Sequence, residues 1–108
     1  GGGPDGVLGG DGDLPAPVRD YDRPPRLLTQ TRPAYPPDAF TKKVEGTVLT
    51  EILIGADGRV LRARVVKSVP GLDAAALAAV RLWTFVPALK NGRPVPTVAT
   101  APVSFRIY

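Results

Sequence analysis

The 108-residue chain has no cysteine, no histidine and no methionine. Without cysteine there is no disulfide framework and no thiolate nucleophile, and the redox compartment stays open. Without histidine the commonest general base and transition-metal ligand near neutral pH is missing. Beyond residue 38 the carboxylates are Glu45, Glu51, Asp57 and Asp73. Asp57 belongs to an Asp-Gly turn and Asp73 to a helix start, so both are explained by local backbone chemistry. Ser68 has no base in view, and Asp11-Gly12-Asp13 is too sparse for a calcium loop, which needs more oxygens at regular spacing. The reading is a non-enzyme with no cofactor and no metal site. No apolar window of 18 residues exists, and the Gly-rich start has neither a basic n-region nor an apolar h-region, so no membrane span and no signal peptide are read. The absence of methionine leads us to expect a piece of a longer protein.

What is present divides unevenly. Of the 13 prolines and 12 glycines, eight and seven fall within residues 1–38, among scattered apolar residues such as Val7, Leu14 and Leu27. Such a segment cannot offset the entropy of ordering itself, and residues 1–31 read as a flexible linker that prolines 15, 17, 24 and 25 stiffen into a semi-rigid tether. Residues 32–108 read as the folded domain. Residues 1–38 hold four arginines against six aspartates, whereas the remainder holds ten Lys and Arg against four acids. The folded part is therefore basic, which most simply gives a soluble surface.

Along the folded part, Asp38 is a candidate cap for a short helix from Phe40 to Lys43, with the preceding prolines outside it. Thr47–Ile54 and Arg59–Lys67 read as a hairpin turning at Gly55-Ala56-Asp57-Gly58. Val48, Thr50, Ile52 and Ile54 share one face, while Leu49, Glu51 and Leu53 share the other, which the N-terminal segment or a partner is expected to cover. Asp73 is a candidate N-cap for an Ala-rich helix over Ala74–Trp83, whose stripe of Leu72, Ala76, Val80 and Trp83 can lie on the sheet. Pro87 stops it, Asn91-Gly92 is a turn, and Ala101–Tyr108 reads as a last strand with Val103, Phe105 and Ile107 inward. The predicted class is α+β: a small antiparallel sheet of about three strands packed by one main helix, with a short N-terminal helix.

Nucleic-acid binding is disfavoured, because no aromatic platform interleaves with Arg59, Arg62, Arg64 and Lys67. Strand addition fits better. The final strand reads as a sheet edge, and Pro102, lacking an N–H, belongs where that direction faces away from the ladder. The amides of Ser104 and Arg106 then point the same way as Pro102 and become donors to an incoming peptide. Two other uses of this edge stay open: protection against aggregation by Pro102 and Arg106, and self-association as a homodimer.

The motifs Arg32-Pro33-Ala34-Tyr35-Pro36, Glu45-Gly46-Thr47-Val48, Asp57-Gly58-Arg59-Val60, the run Arg81 to Ala88 and Val103-Ser104-Phe105-Arg106-Ile107 occur in that order. In this arrangement residues 32–108 resemble the C-terminal domain of the TonB family. The resemblance implies a periplasmic domain of an energy transducer, tethered to the inner membrane of a Gram-negative cell and coupled to an ExbB/ExbD-type proton-driven motor through regions outside this chain. It implies capture of the TonB box of TonB-dependent outer-membrane receptors by Ala101, Pro102, Val103, Ser104, Phe105, Arg106 and Ile107, with further contacts at Thr31, Arg32, Tyr35 and Pro36. Members often carry glutamine where Arg32 stands, and arginine there would instead favour an acidic residue in the partner. Gly46, Gly58, Asp73, Trp83 and Phe85 are read as structural. The alternative is a TonB-like interaction module of a multi-domain envelope machine for motility or secretion, capturing a different strand.

Overall fold

The computed structural model describes residues 14–108, so the coil expected over Gly1–Asp13 lies outside the described residues. Nine elements follow in chain order: β1 Arg26–Thr29, α1 Pro37–Thr41, β2 Gly46–Ile54, β3 Val60–Lys67, α2 Asp73–Val80, β4 Thr84–Val86, β5 Ala88–Lys90, β6 Arg93–Val95 and β7 Thr97–Phe105. All pairings are antiparallel: a central sheet in the order β3-β2-β7 and the two-stranded pairs β1-β4 and β5-β6. The α+β class is as expected, and four short strands are added to the three anticipated.

The hairpin between β2 and β3 forms where its turn residues require. Gly58 N–H donates to Gly55 C=O at 2.9 Å, and the Asp57 carboxylate accepts from the Arg59 N–H at 3.0 Å. Gly58 adopts φ +86°, and a Cβ there would stand 2.0 Å from the Phe85 carbonyl oxygen. Glycine is thus needed both for conformation and for the approach of β4. Asn91 and Gly92, at φ +53° and +76°, supply the two left-handed residues that close β5 onto β6.

Alternation places Val48, Thr50, Ile52 and Ile54 on one face of β2, opposite Val103, Ala101, Ala99 and Thr97 of β7. On this face α2 lays down Leu72, Ala76 and Val80, all 0% exposed, and Phe105 is 2% exposed. Burying a side chain of that size contributes about 2–3 kcal/mol. The buried Thr50 hydroxyl donates to Ala101 C=O at 2.7 Å, so no polar group is stranded there. On the opposite face Leu53 is also buried. Its partner Val98 lines a small cleft with Val18, Arg19 and Tyr21, which brings the N-terminal segment to this corner.

Both helices differ from expectation at their ends. α1 begins at Pro37 with Pro36 in the cap position, and Asp38 makes no capping bond. A proline fits the first helical turn, where its missing N–H costs nothing. In α2 the cap position falls to Leu72, already near helical dihedrals, which leaves Asp73 as the first helical residue. The Asp73 carboxylate bends back instead, accepting from the Val69 N–H at 2.9 Å and from the Ser68 hydroxyl. α2 ends at Val80. Two tight turns, Leu82 N–H to Ala79 C=O and Trp83 N–H to Val80 C=O, then drop Trp83 into the core at 4% exposure.

The tether is not free over its described part. Val18 N–H donates to Pro96 C=O at 2.8 Å, Asp22 and Arg23 pair with Leu89, and β1 pairs with β4. Asp20 accepts from Lys90 at 2.5 Å, and the Lys90 ammonium holds its carboxyl below the ordinary value. Asp22 accepts from the Asn91 N–H at 2.6 Å.

Candidate functional site: an open sheet edge and its facing wall

β7 is an outer strand of the central sheet, with β2 on one side and no strand on the other among the described residues. Nine register pairs join β7 to β2 without a break, from Gly46–Phe105 to Ile54–Thr97. Pro102 faces Leu49 in that register and cannot donate, so this pair belongs to the class that exchanges no ladder bonds. By alternation, the backbone groups of Val98, Thr100, Pro102 and Ser104 point to the open side, and those of Ala101, Val103 and Phe105 to β2.

β3, the opposite outer strand, is less regular. Its register with β2 shifts twice, at Val66 and at Leu61, and both side chains are exposed. Bulges of this kind interrupt the row of groups an incoming strand would read.

Facing the open edge of β7 is a wall formed by residues 30–35. Gln30, Arg32, Pro33 and Trp83 line a cleft of about 410 Å³ with Pro102, Val103 and Ser104. A second cleft, of about 360 Å³, adds Tyr35, Phe105, Arg106 and Tyr108. Arg32, Pro33 and Ser104 line both, so the two form one trough along the edge. Two anchors fix the wall. The Trp83 indole N–H donates to Thr31 C=O at 3.0 Å, and the Tyr35 hydroxyl donates to Val44 C=O. The Tyr35 ring also packs edge-on against Phe40 and Phe105, with centroids 5.5 and 5.4 Å away. Burial, reinforced by the charge of Glu45 and opposed by Arg106, raises the Tyr35 phenol above its ordinary value.

The residues expected at the site are thus sorted by the geometry. Arg32, Tyr35, Pro102, Ser104 and Arg106 line the trough, and Thr31 holds it through its carbonyl. Ala101, Val103 and Phe105 belong to the buried core, and of these Val103 and Phe105 also border the trough. Pro36 serves as the cap of α1. β7 ends at Phe105, so Arg106 and Ile107 lie beyond the strand, where the Ile107 N–H donates to the Glu45 carboxylate at 2.6 Å. The Ser104 hydroxyl pairs with that of Thr47 at 2.9 Å, which leaves the backbone as the part of Ser104 turned to the trough. Gln30, Pro33 and Tyr108 were not anticipated. Pro33 was the available signal, since it holds the wall extended beside the edge.

Gly46, Gly58, Trp83 and Phe85 occupy structural positions. A Cβ on Gly46 would come within 3.1 Å of Val69, and the Phe85 N–H donates to Gly58 C=O at 2.8 Å.

The chain is thus a small α+β domain with one regular sheet edge beside an anchored extended wall. Residues 31–107 match the family model described as Gram-negative bacterial TonB protein C-terminal. The chain is 33% identical over 88 residues to protein TonB of Vibrio cholerae, covering 80% of this chain and 36% of that protein. It is 36% identical over 77 residues to protein TonB of Xanthomonas campestris, covering 69% of this chain and 34% of that protein. The solution structure of the Pseudomonas aeruginosa TonB C-terminal domain matches with a TM-score of 0.63 at 32% identity, covering 80% of this chain and 89% of that one. The chain therefore belongs to the TonB C-terminal domain family, and it spans about a third of the length of these curated relatives.

Proposed function

We propose that this chain is the non-catalytic periplasmic domain of a TonB-type energy transducer, which captures the TonB box of outer-membrane receptors by adding it as a strand to β7. In the full-length protein, regions outside this chain would anchor it to the inner membrane and join it to an ExbB/ExbD-type motor, coupling proton motive force to active transport. The observation that carries the reading is the unbroken register of β7, with outward backbone groups at Thr100, Pro102 and Ser104 opposite an anchored wall. Strand addition suits a device that pulls. Several backbone hydrogen bonds share the load, while each nets only about 0.5–1.5 kcal/mol, so release stays possible.

The test is an amide-resolved NMR titration with an extended TonB-box-like peptide, using a scrambled peptide and an oligonucleotide as controls. Shifts should fall on Thr100–Ile107 and on residues 30–35. Ser104→Pro removes an open-side donor, together with the hydroxyl that pairs with Thr47, and should weaken binding in a folded domain, with Ser104→Ala as the control for the lost hydroxyl. Val103→Pro breaks the ladder to β2 and should unfold it. A folded Ser104→Pro variant with unchanged affinity would sink the assignment.

A further inference from the structure

The tether meets the domain along a seam that leaves a gap. The Arg23 N–H donates to Leu89 C=O at 3.1 Å, the Leu89 N–H returns a bond to Arg23 C=O at 3.0 Å, and Arg26 pairs with Val86 in the register of β1 and β4. Between these two pairs, Pro24 and Pro25 run opposite Pro87 and Ala88. The prolines have no N–H to give, and Ala88 is paired to Val95 of β6, so the ladder does not close there. A cleft of about 600 Å³ remains, walled by Pro24, Pro25, Val86, Pro87 and Leu89, with Arg23 and Arg26 at its two ends. It shares no lining residue with the trough beside β7. No carboxylate of the described residues lines it, and both arginines are exposed, with no ion-pair or side-chain hydrogen-bond partner among the described residues. The aspartates just upstream are engaged elsewhere, Asp20 with the Lys90 ammonium and Asp22 with the Asn91 N–H. The seam thus holds an apolar slot with an unpaired cation at either end.

We propose that this cleft is a second docking site, for an acidic segment of another protein that inserts a tryptophan or tyrosine between the prolines and sets aspartates or glutamates against Arg23 and Arg26. The lining dictates that chemistry. Proline rings offer apolar surface to an aromatic ring, a guanidinium stacks on the face of such a ring, and the same planar fork takes both oxygens of a carboxylate. The volume suits a large side chain with its flanking backbone. Prolines and paired ends hold the cleft open in advance, so little ordering on the domain's side offsets binding. The ion pairs lie at the surface and adjust affinity and choice of partner, while the buried ring supplies most of the binding. Because no residue is shared with the trough, the cleft can be filled whether or not a strand lies on β7.

The test uses the whole chain and the acetylated, amidated peptide Gly-Glu-Glu-Trp-Glu-Glu-Gly, followed by calorimetry and by the amide shifts of Leu27, Val86 and Leu89. Alanine in place of its tryptophan should weaken binding about tenfold or more, lysine in place of its glutamates should abolish it, and added salt should weaken it. Arg23→Gln and Arg26→Gln should each cost about two- to fivefold, with the β2 and β7 amides unmoved as the sign of an intact fold. No shift at Leu27, Val86 and Leu89 overturns the proposal. Equal binding of the tryptophan and alanine peptides, or shifts confined to Arg59–Lys67, also overturns it, in favour of general attraction to a basic surface. The same shifts from phosphatidylglycerol vesicles but not from the peptide overturn it in favour of a lipid surface. Peptide binding that appears only once Asp5, Asp11 and Asp13 are replaced by asparagine overturns it by making the chain's own acidic end the occupant. Sedimentation mass that rises with concentration in the wild type but not in Arg26→Gln overturns it in favour of a second copy. Every one of these outcomes leaves strand capture at β7 to be judged by its own titration.

Discussion

Gly58 offers the sharpest test of how the pieces of this fold are joined. A Cβ at Gly58 would meet the Phe85 carbonyl oxygen at 2.0 Å, whereas one at Gly92 would meet nothing within 4 Å, although both residues have positive φ. Gly92→Ala therefore isolates the cost of left-handed backbone, about 1–2 kcal/mol, offset by about 0.4–1 kcal/mol from the stiffer unfolded chain. Gly58→Ala pays the same and must also drive β4 away by about 1 Å or more, forfeiting the 2.8 Å hydrogen bond from Phe85 to Gly58. With that bond and the loosened packing of Phe85, the expected loss is about 2–4 kcal/mol. Domains of this size hold about 5–10 kcal/mol, and each kcal/mol moves Tm by about 4–8 °C. Urea and thermal unfolding of the two variants should place Gly58→Ala well below Gly92→Ala. Equal midpoints would refute the claim that β4 is fastened to the hairpin by backbone contact at Gly58.

Two further outcomes follow from the wall of the trough. Trp83→Phe keeps a buried ring but removes the indole donor to Thr31; stability should fall by about 1.5–3 kcal/mol, with amide shifts reaching residues 30–35 in a wild-type comparison. Tyr35 has its phenol raised in the folded state, so its contribution is fully present below pH 10, the ordinary phenol value, and is lost as pH rises through the folded value. Unfolding midpoints measured across the alkaline range should drop more steeply in the wild type than in Tyr35→Phe, and parallel curves would contradict the assignment.

The central sheet was legible because its signals are local. Gly55 to Gly58 announce a hairpin, β-branched residues alternate on either side, and the stripe from Leu72 to Trp83 repeats at helical spacing. β1 was not. Arg-Leu-Leu-Thr lies beside two prolines with no periodicity, and it becomes a strand only because Thr84–Val86, more than 50 residues on, offers a ladder. Such pairing is decided by tertiary contact rather than by propensity. The strands Thr84–Val86, Ala88–Lys90 and Arg93–Val95 are three residues each, too short to show a period of two. In the trough, Arg32, Tyr35 and Ser104 could be named from motif order, but their convergence depends on Trp83 holding Thr31. The bonds from Asp20 and Asp22 to the β5–β6 hairpin leave no mark in sequence, since aspartates among prolines are ordinary in linkers.

The two outer edges of the central sheet are managed differently, and the difference bears on use. β3 carries two bulges and presents Arg62, Arg64 and Lys67, devices that blunt an edge against unwanted pairing. β7 is regular over nine residues and is interrupted on its open side only by Pro102, which removes a donor but leaves a carbonyl to accept. An edge without a purpose would need the protection that β3 has. Instead the chain folds residues 30–35 alongside, close enough to form a trough and not paired to the strand it faces. On the strand-capture reading proposed above, that arrangement would leave the outward backbone groups of β7 open to one extended peptide, held by bonds that together share a load and singly are weak enough to release.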